Sequence, residues 1–192
     1  MIGRSSYINL ISKENDDYEV YVADISEEDL EIARSKYGYK TIHLNENGKL
    51  PFEDKYFDVV FCNSVIEHVT LDKKDIYFIV DKKEFYENSI KHQKSFAEEI
   101  RRISRQYHVQ TPNKYFLLES HSWFLNIYPF MSRKNQIKLI KFLNKFWPKR
   151  TSPDWNLFTK KMMKECFSDA EIIPERSLGF IKSWIAVKSS KM

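Results

Sequence analysis

A few side chains in this 192-residue sequence have the type and spacing to do chemistry. Asp24 closes an apolar stretch and stands just before a helix start at Ser26, with Ile25 between them. An ionised carboxylate at the end of a strand can accept hydrogen bonds from both hydroxyls of a ribose. The competing reading is a carboxylate that binds the backbone amides where the helix begins. Gly3 lies 21 positions before Asp24, near the spacing of about 20 that separates a glycine-rich loop from its acidic partner. His68, which follows Glu67, and the pair Glu119 and His121 are candidates for proton removal or substrate contact, because imidazole titrates near neutral pH.

The elements that must position these groups alternate in period. Residues 18–23, 41–44, 57–62 and 107–111 read as strands, the third a nearly continuous apolar run of the kind buried in a parallel sheet. Residues 171–173 and 183–188 read as a closing pair. Between them lie helical patterns: one capped by Ser26, acidic in its first turn and stopped at Gly38, one from about Lys83 to Ile103, and one from about Arg133 to Phe146. Strands alternating with helices predict an α/β layered domain with a mostly parallel sheet.

Composition narrows the class. A hydrophobic share of 42% and a charged share of 30% suit a globular chain, and the net charge of +4 is too mild to argue for nucleic acid. Cys62 and Cys166 stand far apart in no metal-binding or disulfide pattern, and the N-terminus has no signal-peptide run, so a soluble cytoplasmic protein is expected.

Residues 50–69, LPFEDKYFDVVFCNSVIEHV, resemble the "LPF…sFDvV…vlEHv" signature of small-molecule class I S-adenosylmethionine (SAM)-dependent methyltransferases. Residues 96–103 (FAEEIRRI), 109–116 (VQTPNKYF), the Glu119-Ser120-His121 triplet and the tail at 178–187 are similar to later segments of the same superfamily. The resemblance implies a Rossmann-like three-layer fold in one domain over 1–192, with a helical lid or insertion around 116–165. It implies SAM as cofactor, Asp24 on the ribose, Gly3 as the last glycine of the cofactor loop, and residues 4–13 as the helix after it. Asn45 and Glu46 then stand near the adenine, unless they form only a turn. Asn63 and Ser64 line the methionine end, unless Asn63 caps the next helix. The family's first strand and first glycine have no counterpart in the sequence, so that strand reads as missing, and two exposed strand edges are expected, with oligomerisation as one outcome.

Methyl transfer from a sulfonium needs no metal, and none is expected. Catalysis rests on aligning the acceptor behind the methyl carbon, with a base where the acceptor is a hydroxyl. His68, His121 and Glu119 are the candidates on that side. The alternatives are that His68 holds a local loop and that Glu119 pairs with His121 to order another. The expected acceptor is a small molecule or glycan-type metabolite, with no nucleic acid partner. Trp123, Phe124, Tyr128 and Phe130 pack a lid or line an acceptor pocket. Residues 132–150 place Leu139, Ile140, Leu143, Phe146 and Trp147 on one face and Lys134, Lys138, Lys141, Lys145 and Lys149 on the other. That pattern fits a lid helix with a solvated lysine face or a weak contact with an anionic membrane. The second functional reading is therefore a non-catalytic methyltransferase-like binding module at a membrane surface. A nicotinamide-dependent oxidoreductase is disfavoured by the 50–69 signature.

Overall fold

A computed structural model describes residues 18–44, 49–72 and 74–189, in two compact units that divide after Leu50. The first unit is a strand–helix–strand element: β1 (Tyr21–Asp24), α1 (Glu27–Tyr37) and β2 (Lys40–His43). Ser26 starts the helix by accepting a hydrogen bond from the Asp29 amide, and Glu27, Glu28 and Asp29 place negative charge at the positive end of the dipole. Gly38 ends it at φ 69, a left-handed conformation that costs a residue with a Cβ, and its N–H turns back to Ala33 and Arg34. Leu30 and Ala33 face inward, and β1 and β2 pair in parallel from Tyr21–Lys40 to Asp24–His43.

The second unit holds β3 (Phe57–Asn63), α2 (Lys82–Ile103), β4 (Ser104–Pro112), α3 (Arg133–Leu143), α4 (Lys160–Cys166), β5 (Glu171–Ser177) and β6 (Phe180–Lys188). Its sheet has the order β3-β4-β6-β5. The β3–β4 pairing is parallel because α2 carries the chain back across the sheet, and the remaining two pairings are antiparallel. The β5–β6 hairpin turns on Leu178 and Gly179, both at positive φ, as a two-residue hairpin with the sheet's right-handed twist requires. From Tyr107 onward central β4 alternates, with Tyr107, Val109 and Thr111 buried, and Ser104 is buried at its start.

Asp81 caps α2 through the Glu84 amide, and Phe85, Ser89, Gln93, Ala97 and Ile100 form its inward stripe. Ala97 and Ile100 pack with Ile66, Val109, Phe158, Met163, Phe167 and Ala186 in the main core, each large side chain contributing roughly 1.5–3 kcal/mol. Tyr128, Ile140, Trp155 and Leu157 form a second cluster. β3 is an outer strand of its sheet, and its Val59 and Phe61 are 59% and 60% exposed.

The helix expected to run to Phe146 ends at Leu143, with Asn144 as its cap and single turns continuing to Trp147. Helical phase therefore no longer governs Phe146. It lies outside with Phe142, ring to ring at 4.8 Å, rather than on the inner face with Ile140 and Leu143. Lys134, Lys138, Lys141 and Lys145 are exposed, whereas Lys149 donates to the Ser120 carbonyl and lies 4.5 Å from the centre of the Trp123 ring. The four aromatic residues 123, 124, 128 and 130 do not act as one surface. Tyr128 is buried, Phe124 packs edge-on to Trp147, and Trp123 and Phe130 face solvent. No helix among the described residues is long and apolar enough to cross a membrane.

Candidate functional site

The parallel register of β3 and β4 brings their carboxyl ends side by side, and the crevice beyond such ends is where α/β folds bind ligands. From β3 the chain passes Asn63 and Ser64 into a single turn of 3₁₀ helix, Ile66–His68. Ser64 sits at φ 53, its amide bonds the Gln110 carbonyl, and its hydroxyl lies 3.2 Å from Gln110 Oε1. Asn63 does not cap the following turn, whose cap position is Val65 with no side-chain bond.

Ile66 is fully buried and anchors the turn. Gln93, reaching from α2, donates to the carbonyls of Ile66 (3.1 Å) and Asn156 (3.0 Å), and accepts from Asn156 Nδ2 (2.9 Å). The Asn156 amide in turn donates to the Glu67 carbonyl at 2.8 Å. Two buried amide side chains thereby fix the backbone that presents Glu67 and His68.

The second segment leaves β4 and folds into a tight loop. Glu119 is buried, and its carboxylate accepts from the amides of His121 (2.8 Å) and Ser122 (2.6 Å) and from His121 Nδ1 (2.5 Å). So Glu119 does order its own loop through His121. The other ring nitrogen of His121 points elsewhere, with Nε2 3.7 Å from Glu67 Oε1. The His121 ring meets His68 edge-on at 4.5 Å and stacks on Trp155 at 5.5 Å. His68 Nδ1 lies 3.4 Å from Asp154 Oδ2.

The three residues proposed for chemistry from the sequence, His68, Glu119 and His121, thus come together in one cluster. Sequence reasoning missed the groups that complete it: Glu67, Thr111, Asp154 and Trp155. Glu67 is wholly buried, with Oε2 accepting from the Thr111 hydroxyl at 2.9 Å and Oε1 without a hydrogen-bond donor. Burial by itself lowers the pKa of His121, but Glu119 and Glu67 outweigh it and raise it to about 9. Burial likewise opposes charge on Glu119 and Asp154. Their histidine partners prevail and hold both carboxyls below the ordinary range. Burial, with Glu67 nearby, pushes the Cys62 thiol up to about 12, so Cys62 is no nucleophile.

Chemically the cluster offers two imidazoles against three carboxylates, a set that can take up a proton or hold a cation. One donor atom each from Glu67, His68 and His121 falls within 4.8 Å of the others, the only such grouping of metal-ligand type among the described residues. A small cleft of about 60 Å³ shares Trp155 with the cluster and is lined also by Phe85, Tyr128 and Arg133.

The cofactor candidates of the first unit are placed less fully. Asp24 ends β1 as expected, and its Oδ1 accepts from the Ser26 amide at 2.9 Å, so its carboxylate does serve the start of the helix. Ile25 beside it is exposed. Gly3, the helix read at 4–13, Asn45 and Glu46 lie outside the described residues.

Comparison with known proteins gives the site its setting. Residues 2–82 match the family model described as a methyltransferase domain. A solved protein of Pyrococcus horikoshii OT3 is 16% identical with a TM-score of 0.52, over 98% of this chain and 78% of that one. A SAM-dependent methyltransferase of Methanosarcina mazei is 13% identical with a TM-score of 0.55, over 94% of this chain and 84% of its own. Curated proteins give no match. At such identities the solved structures speak for the fold, and the family match is a similarity over residues 2–82. Over residues 2–82 the chain is similar to methyltransferase domains, and over nearly its whole length it shares the fold of a SAM-dependent methyltransferase.

Proposed function

We propose that this protein transfers a methyl group from SAM to a small-molecule or glycan-type metabolite, as a single domain whose residues around 116–165 cover the acceptor. In this reading Asp24 binds the ribose, with Ile25 beside it, and Gly3, Asn45 and Glu46 contribute along the nucleoside. Asn63 and Ser64 line the methionine end, and His68, Glu119 and His121 face the acceptor. The observation that carries it is the convergence of His68 with Glu119 and His121, about fifty residues apart in sequence, beyond the carboxyl ends of β3 and β4. A proton-handling cluster there suits an acceptor that must lose a proton as it is methylated.

The test is ligand-induced stabilisation. SAM or S-adenosylhomocysteine raises the melting temperature, since a ligand that binds only the folded state stabilises it by mass action. Asp24→Ala removes the rise. If the unaltered chain shows no shift with either ligand at millimolar concentration, cofactor binding by this chain is refuted.

A second reading, a non-catalytic methyltransferase-like module at an anionic membrane surface, is favoured by one observation. Phe142 and Phe146 are 57% and 61% exposed next to Lys138, Lys141 and Lys145. Aromatic rings and ammonium groups on one surface suit the headgroup region. Sedimentation with anionic liposomes tests it: reversing the charge of the three lysines abolishes binding if this route operates, and unchanged binding rules it out.

A further inference from the structure

We propose that Glu67, His68 and His121 form a binding site for a divalent transition-metal cation. Three independent features of the cluster lead there. The first is proximity. Donors around a common ion at about 2.1 Å stand roughly 3–3.4 Å from one another. His121 Nε2 and Glu67 Oε1 are already 3.7 Å apart, and the full triad lies within 4.8 Å. Closing onto an ion asks only for small side-chain rotations.

The second is orientation. Metal-bound histidines commonly donate their other ring N–H to a carboxylate, which fixes the tautomer and aims the free nitrogen. Both histidines here have that arrangement: His121 Nδ1 is bonded to Glu119 at 2.5 Å, and His68 Nδ1 faces Asp154 at 3.4 Å. Nε2 of His121 faces Glu67 Oε1, and a cation bound between them takes the place of the proton on that nitrogen. Trp155 stacked on His121 and the Glu119 loop restrict that ring further.

The third is an idle acceptor. Glu67 Oε1 is buried with no donor, although leaving such an atom unpaired costs on the order of 1–3 kcal/mol. Its sister oxygen is held by Thr111, so the carboxylate is fixed with one oxygen directed at His121. A cation bound there satisfies it.

Two imidazole nitrogens and one carboxylate oxygen suit Zn²⁺, Co²⁺, Mn²⁺ or Fe²⁺ better than Mg²⁺ or Ca²⁺, which prefer all-oxygen shells. Three protein donors leave coordination positions open, as reactive rather than structural sites do, so an oxygen of a bound molecule can complete the shell.

The metal-free chain is titrated with ZnCl₂ by calorimetry and with CoCl₂ by visible absorbance, both without SAM. One equivalent binds, with the absorption bands of nitrogen- and oxygen-coordinated Co²⁺. Glu67→Gln and His121→Ala each weaken binding by 100-fold or more, and Glu119→Gln, which loosens only the orientation of His121, by about 10-fold. His92→Ala, an exposed histidine elsewhere, leaves binding unchanged. The proposal is overturned if the unaltered chain binds neither metal stoichiometrically, or if binding survives loss of the histidines. Should circular dichroism show His121→Ala unfolded, His68→Ala decides, since that ring is partly exposed and its removal opens no deep cavity. Repeating the SAM melting experiment in EDTA keeps the two ideas apart: a SAM shift without metal binding sinks only the metal site, and the reverse sinks only the cofactor reading.

Discussion

Gln93→Leu tests whether the site is built as described, because Gln93 carries no charge and touches none of the proposed reacting groups. Leucine keeps the volume of the buried side chain and removes its four hydrogen bonds, the weakest of them the 3.5 Å bond to the Glu67 carbonyl. The Ile66 carbonyl keeps a partner in the Val69 amide and suffers least. Asn156 Nδ2 and the Asn156 carbonyl lose Gln93 in a place without solvent, since Gln93 is fully buried and Asn156 nearly so. At roughly 1–3 kcal/mol for each stranded group, the loss comes to about 2–6 kcal/mol, lessened somewhat by the apolar gain of leucine. Urea unfolding followed by tryptophan fluorescence is the assay, with buried Trp155 and Trp184 reporting from this unit. The same variant frees the 3₁₀ turn that carries Glu67 and His68, so metal affinity falls along with stability. A loss below about 1 kcal/mol with unchanged affinity would mean that the amide pair does not hold the site, and the positioning argument fails.

Two further outcomes concern the frame. Burial tends to raise the pKa of Asp169, but Lys188, Tyr107 and Arg101 outweigh it and bring it down to about 2. A depressed folded pKa adds stability above the ordinary aspartate value, and this is lost as pH falls through that value towards 2. Asp169→Asn therefore lowers the urea midpoint at pH 6, and the gap to the unaltered chain closes as pH approaches 2; a gap that persists at pH 2 contradicts the linkage. Gly38→Ala costs about 1 kcal/mol in the first unit. A Cβ there meets nothing within 4 Å, so the whole cost lies in the left-handed backbone, and an unchanged melting temperature refutes it.

Much of the frame is legible in the sequence because its signals are local. Ser26 and Gly38 bound α1 through bonds that span a few residues, and the apolar run before Asn63 identifies a strand but not its burial, since β3 is an outer strand whose Val59 and Phe61 are exposed. The chemistry-bearing histidines are legible by type and by resemblance. What joins them is not, because no periodicity relates Gln93 to Asn156, or His68 to Asp154, across 63 and 86 positions. One trace of it does exist. Gln93 stands every-fourth with Phe85, Ser89 and Ala97 on the inward stripe of α2, and a polar amide at a core position demands a buried partner. Phe146 leaves its expected face for the opposite reason: helical spacing does not extend past Asn144, where the helix ends and each later side chain follows its own turn.

The distribution of hydrogen bonds separates what the cluster does for folding from what it holds in reserve. Glu119 is satisfied by two amides and an imidazole, which is enough to order its loop without any ligand. Asp154 has His68 as its partner. Glu67 is different: it is the most buried of the three carboxylates, yet only Thr111 donates to it. A protein selected only for stability gains by replacing such a group with an apolar one, since buried charge recovers its desolvation only with full pairing. Oε1 of Glu67 faces His121 Nε2 at 3.7 Å, beyond hydrogen-bond distance. An uncompensated acceptor in that position marks the point where a positive charge from outside the chain is expected to enter, and violations of local economy of this kind gather at functional sites.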